Sequence, residues 1–294
     1  MPHRQEADRV IHGFPHRAVV DASLTALHRR LSPAGVRRFP ASVTAADVAL
    51  GDGEDLRPGT RRVARALVRH LGLPDARVTV DFRPMEHAGS VGLAPGPEYS
   101  VEVHERFRTR RRDIGAVLAH EITHVLLHRL GLCFPGTAEN EILTDVTAAY
   151  LGAGWLLLDA YREDGVERQR LGYLTPEEFG YVLAKRAELF GEDPSPWFTS
   201  HVAYEAWVRG RAEARRERTA PPLAGAGPVE RRRYAWERRR GRAGEGAPYA
   251  FDGGAPATGV SFSCPVCRRR LRIPAGRTLR ARCGVCGTVL ECAA

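Results

Sequence analysis

Long apolar runs are scarce in this 294-residue chain: the longest, residues 148–158, falls short of the roughly 18–20 residues that a bilayer span requires. No membrane partner is therefore expected. The first thirty residues hold no apolar h-region of the secretory type, which predicts a cytoplasmic protein. Aromatic residues make up only 7% of the chain, and Lys185 is its one lysine, so positive charge is carried almost wholly by arginine. Disulfides are not expected either. Of six cysteines, four fall into two Cys-x-x-Cys pairs, which in a reducing compartment favour metal binding. Of the other two, Cys133 reads as a buried apolar residue and Cys292 lies outside the ligand spacing.

The composition, 43% hydrophobic and 27% charged, is that of a globular protein. At this length two folded units are expected. The net charge of +9 is uneven: residues 1–204 carry −2, while 205–245 and 259–294 carry +6 each, with Asp252 between them. A basic C-terminal third suits an anionic partner, either a nucleic acid or an acidic protein.

Apolar spacing predicts helices over 21–31, 58–71, 111–130 and 138–161, and another running from the capping box Thr175-Pro176-Glu177-Glu178 to Leu189. Alternation predicts strands over 77–82 and 99–104, joined by a turn-rich loop through Gly89, Gly92, Pro95, Gly96 and Pro97. The helix over 111–130 is apolar around most of its circumference and should be buried. Residues 213–258 read as a basic linker rich in Gly, Ala, Pro and Arg, with one short helix near 229–240.

Within the buried helix stands His120-Glu121-Ile122-Thr123-His124. Histidines at i and i+4 lie one above the other, so both imidazoles can reach one metal ion while the intervening glutamate reaches a water on it. Burying these polar groups without a metal would be costly. Glu121 is the expected general base, acting on a water that zinc polarises. Leu127 and Leu130 occupy the places where a metzincin needs glycine and histidine, which excludes that class. His128 reads as a helix C-terminal histidine rather than a ligand.

Further along, Asn140-Glu141-Ile142-Leu143-Thr144-Asp145 resembles the NExxxD segment of thermolysin-like gluzincins and the ExxxD element of other zincins with a glutamate ligand. That resemblance covers about residues 100–160. It implies an α+β, mainly helical zincin-like domain over 1–212 with a small antiparallel or mixed sheet, and a zinc metallopeptidase acting on protein or peptide. It also implies Glu141, rather than neighbouring Glu139, as third zinc ligand, and Asp145 as the partner that fixes a ligand histidine. Zincins place an edge strand beside the site for an extended peptide, and residues 99–104 are the matching segment. An oxyanion stabiliser is expected from His201, Tyr173 or Tyr181.

Cys264-Pro265-Val266-Cys267 and Cys283-Gly284-Val285-Cys286 are fifteen residues apart, the spacing of a four-cysteine zinc site. The segment 259–294 looks like a prokaryotic zinc ribbon, with strands at 270–273 and 288–290 and a docking or targeting role; it implies a second, structural zinc. Two further readings stay open. SprT-like proteases also join a zincin domain to a ribbon and act on DNA-associated proteins, although they use a third histidine and none follows His128 here until His201. The other is a non-catalytic zinc protein that regulates or binds nucleic acid.

Overall fold

The computed structural model describes residues 12–93, 98–163 and 168–293. The chain opens with α1 (Arg17–Val36), α2 (Ala45–Val48) and α3 (Leu56–His70). Then come β1 (Arg77–Arg83), β2 (Gly89–Val91) and β3 (Glu98–His104). A short 3-10 turn leads into α4 (Ile114–Leu130), followed by α5 (Thr137–Leu151) and α6 (Trp155–Asp159). The two-residue strands β4 (Arg162–Glu163) and β5 (Arg168–Gln169) precede α7 (Pro176–Phe190) and α8 (His201–Arg218). The C-terminal part comprises α9 (Pro228–Arg240), β6 (Tyr249–Asp252), β7 (Gly259–Ser263), β8 (Arg270–Pro274), β9 (Thr278–Arg282) and β10 (Val289–Ala293). The architecture is mixed α/β with small sheets. Among the described residues no helix is long and apolar enough to cross a membrane.

Helix α4 is central, as its apolar circumference requires: twelve of its residues, from Ile114 to Leu127, are buried. It ends at Gly131, whose φ of 58° closes the C-terminus in the left-handed region. The first sheet has the order β1-β3-β2, with β3 parallel to β1 and antiparallel to β2. The strand at 98–104 is therefore internal, and the edge beside α4 is β2, which lies inside the stretch expected as a loop. Gly89 explains the close approach: a Cβ there would lie 2.7 Å from Val117 Cγ1 and 2.9 Å from Glu121 Oε1.

Three further expectations change. The helix over 138–161 divides into α5 and α6, because Gly152 takes a φ of 104° and a Cβ at Gly154 would strike the Ala149 backbone. Cys133 is exposed in the loop after α4 rather than buried. The stretch 213–258 is not an extended linker: it carries the end of α8, all of α9 and β6. Its Leu223, Tyr234 and Tyr249 enter a second core with Val260, Phe262, Ile273, Leu290 and Cys292. The periodic apolar signal there is one aromatic at a time among arginines, too sparse to reveal a packed face.

The C-terminal unit builds two turns of the same kind. After Cys267, Arg268 N donates to Cys264 O at 3.0 Å; after Cys286, Gly287 N donates to Cys283 O at 2.9 Å. The residue closing each turn has positive φ, 71° at Gly287 and 62° at Arg268. An arginine in that region is strained where glycine is not. Its side chain accounts for the choice. Arg268 reaches from the ribbon to Asp21 of α1 and Glu217 of α8, both at 2.9 Å, with its side chain only 10% exposed. Glu217 also takes Lys185 at 2.7 Å and Arg17, and Thr25 donates to Cys267 O at 2.7 Å. The ribbon is thus clamped to the helical unit.

Arg268→Gly relieves about 1 kcal/mol of backbone strain but removes the charge-assisted hydrogen bonds to Asp21 and Glu217, a loss of about 3–5 kcal/mol. The net destabilisation, about 2–4 kcal/mol, should lower the urea midpoint; an unchanged midpoint would show that the clamp contributes nothing.

Candidate metal centres

Because α4 carries His120 and His124 one turn apart, their rings stack edge-on at 4.8 Å between centroids, with the two Nε2 atoms 3.1 Å apart. Glu141 in the first turns of α5 brings Oε2 to 3.0 Å from His120 Nε2 and 3.3 Å from His124 Nε2. Edges of that length match the roughly 3.3 Å expected between N and O ligands placed about 2.0–2.1 Å from a tetrahedral ion. What sets Glu141 there is Asn140. Its amide accepts from Phe134 N at 2.7 Å and donates to the carbonyls of Phe134 and Gly136 at 2.6 and 2.8 Å, tying down the loop between α4 and α5.

Each imidazole is held from behind. His120 Nδ1 donates to Asp145 Oδ1 at 2.8 Å, and Asp145, fully buried, accepts through Oδ2 from the backbone N–H of Leu174 at 3.1 Å and of Tyr173. Gly172, at φ 91°, lets that turn wrap the carboxylate, since a Cβ would lie 2.6 Å from Oδ2. The Thr144 hydroxyl donates to Asn140 O at 2.9 Å and so accepts from His124 Nδ1 at 3.2 Å. With both Nδ1 atoms donating, the neutral rings turn two Nε2 lone pairs toward the Glu141 carboxylate. Three electron-rich atoms then converge, a donor set that fits a divalent cation such as zinc.

Charge follows this geometry when no metal is present. Burial pulls the His120 imidazolium down, but hydrogen bonds with Asp145 and Glu141 outweigh it and hold the pKa up to about 10. Burial likewise works against the Glu141 carboxylate, and its hydrogen bonds with His120 and His124 win, bringing it to about 2. Burial pushes the Glu121 carboxyl upward, partly opposed by His120 and His124.

His120, Glu121, His124 and Glu141 line one cavity of about 820 Å³ together with Gly89, Ser90 and Val91 of β2 and Arg170, Leu171, Gly172 and Tyr173. Tyr173 stacks on His120 at 6.3 Å between centroids. The other two oxyanion candidates stand elsewhere. Tyr181 is buried in the clamp, donating to Glu217 at 3.0 Å, because α7 turns that face toward α8. His201 begins α8 with 83% of its side chain exposed, 3.0 Å from Glu205. His87, which also lines the cavity and acts electrostatically on Glu121, was not singled out from the sequence. A lone histidine in a Gly-rich stretch gives no periodic signal.

The second cluster is Cys264, Cys267, Cys283 and Cys286, all buried. Cys264 Sγ lies 3.6 Å from Cys286 Sγ, and Cys267 Sγ lies 3.5 Å from Cys283 Sγ. A tetrahedral Zn–S₄ site with bonds of about 2.3 Å has edges of roughly 3.8 Å, so the four sulfurs can hold an ion such as zinc.

Comparison with protein-family models, with curated proteins and with solved structures gives no match. The chemistry therefore rests on the geometry of this chain.

Two zinc ions per chain are expected by elemental analysis, one lost in His124→Ala and the other in Cys264→Ser. Asp145→Asn should weaken the histidine site about 10- to 100-fold while sparing the cysteine site. One zinc in the unaltered protein would remove one of the two centres.

The His120 shift also has a stability consequence. Raised from 6.5 to about 10, it stabilises the metal-free chain fully below pH 6.5, and that contribution is lost as pH rises through about 10. Glu141, lowered from 4.5, contributes above pH 4.5 and loses that contribution as pH falls through about 2. Chelated protein should therefore melt at progressively lower temperature between pH 7 and 10, while zinc-loaded protein, whose ligand imidazole is already neutral, should not. Parallel profiles for the two forms would contradict the assignment.

Proposed function

We propose that this chain is a zinc metallopeptidase of gluzincin type with a zincin-like catalytic unit, in which His120, His124 and Glu141 hold the metal and Glu121 is the general base. The observation that supports it most is the convergence of these three donors beside Glu121 at the floor of a cavity edged by a short strand. Zinc, when bound, supplies a Lewis acid that polarises a carbonyl and makes a water acidic near neutral pH. Glu121 takes the proton of the attacking water and passes it to the departing amine. Its upward-shifted carboxyl suits both halves of that transfer. Asp145 keeps His120 in one tautomer throughout.

On this reading an extended peptide lies along β2, which among the described residues pairs with β3 alone and contributes Gly89, Ser90 and Val91 to the cavity lining. Tyr173 is the group assigned to the carbonyl oxygen as it gains charge, since of the three candidates it alone lines the cavity. The thiol pairs fit a reducing, cytoplasmic setting. The ribbon, clamped through Arg268, acts as a fixed arm of the enzyme rather than one on a tether. A SprT-like arrangement loses support from His201, which stands outside the metal cluster. A closed structural site is not favoured either, because among the described residues three protein donors, and no fourth, meet at the cavity.

Glu121→Gln should retain two zinc ions and lose at least about 1,000-fold in kcat on a fluorogenic unfolded-protein substrate; undiminished turnover would remove Glu121 as the base. Tyr173→Phe should lower kcat by about 100-fold with KM little changed, and a pure KM effect would make it a binding residue instead.

A further inference from the structure

Helix α9 packs Tyr234 and Glu237 into the second core, where Glu237 accepts from Tyr249 at 2.8 Å. On its opposite side, helical spacing brings Val229, Arg232, Arg233, Trp236, Arg239 and Arg240 together, all exposed. Trp236 is 51% exposed at the centre of this face. The Arg240 guanidinium lies 4.4 Å from the indole centroid, and Arg233 is paired with Glu237 at 3.2 Å. Arg232 and Arg239, two turns apart and so about 10 Å along the axis, have no ion-pair partner among the described residues. Neither described carboxylate of α9 is exposed on the face: Glu230 lies about 100° round the helix from Val229, and Glu237, buried against Tyr249, meets it only through Arg233.

An exposed tryptophan alone needs no explanation, and an arginine run alone is an ordinary solvated face. Their combination is more specific. A flat ring open to solvent inside a cationic field offers a base a stacking surface and its phosphates a counter-charge. Duplex bases are already stacked and do not need it. Two apolar side chains are too few to seat a helix in a lipid interface. We propose that the outward face of α9 binds single-stranded nucleic acid, with Trp236 stacking on a base and Arg232, Arg239 and Arg240 meeting the phosphates. This site is independent of peptide hydrolysis, and its test reads no peptidase activity.

The experiment is fluorescence anisotropy of a labelled oligothymidylate with the full-length, zinc-loaded chain. Binding should weaken with salt, and Trp236→Ala should weaken it about 5- to 150-fold while Trp236→Phe keeps most of the affinity. Arg232→Gln with Arg239→Gln should lower the slope of log K against log salt by about 1.4, since each phosphate contact on a single strand contributes about 0.7. The affected side chains are exposed, so melting temperatures should match the parent. Failure to bind, equal affinity of Trp236→Ala and parent, or tighter binding of a duplex would each overturn the proposal. So would binding to phosphatidylserine vesicles or an acidic polypeptide in place of the oligonucleotide.

Discussion

Two imidazole lone pairs and a carboxylate oxygen cannot sit within 3.3 Å of one another, at the floor of a partly buried cavity, without positive charge among them. In the metal-free chain a proton on His120 meets that demand; a divalent cation meets it better, because it satisfies all three atoms at once. Much of the surrounding structure serves this requirement. Asn140 fixes the loop that aims Glu141, Asp145 and Thr144 fix the rings, and Gly172 opens the turn around Asp145.

Helix α5 links the two candidate metal centres. Its first turns carry Glu141 and Asp145, while Tyr150, nine residues and about 13 Å further on, bonds His28 of α1 at 2.9 Å. Thr25, one turn before His28, holds the Cys267 carbonyl. The cysteine cluster therefore contacts α1, which is bonded in turn to α5, the helix that carries Glu141 and Asp145. A ribbon this small cannot bury enough apolar surface to stand alone, so a metal held by its four cysteines would add its binding free energy to the arginine clamp.

The grouping of the candidate ligands was more legible in the sequence than their surroundings. The i, i+4 histidines, the glutamate seventeen positions later and the paired Cys-x-x-Cys turns are local patterns, and short-range geometry is what spacing encodes. Helix α7 was equally plain, because its capping box is contained in four residues. Relationships between distant segments were not legible. Nothing in 99–104 says that Gly89 to Val91 will pair with it from the other side and take over the edge. Tyr173 and Tyr181, eight residues apart, differ only in which way their elements face, and that is decided by tertiary packing. The span 213–258 misled for another reason: its arginines are solvated while single aromatics, Tyr234 and Tyr249, do the packing, so composition outweighed pattern.

The most direct test of the account is zinc-edge anomalous diffraction from crystals of the purified protein. It should show one peak among the four cysteine sulfurs and another about 2.0–2.1 Å from His120 Nε2, His124 Nε2 and a Glu141 oxygen, with the fourth position open to the cavity and beside Glu121. A second peak completed by a fourth protein ligand, or lying away from Glu141, would contradict it.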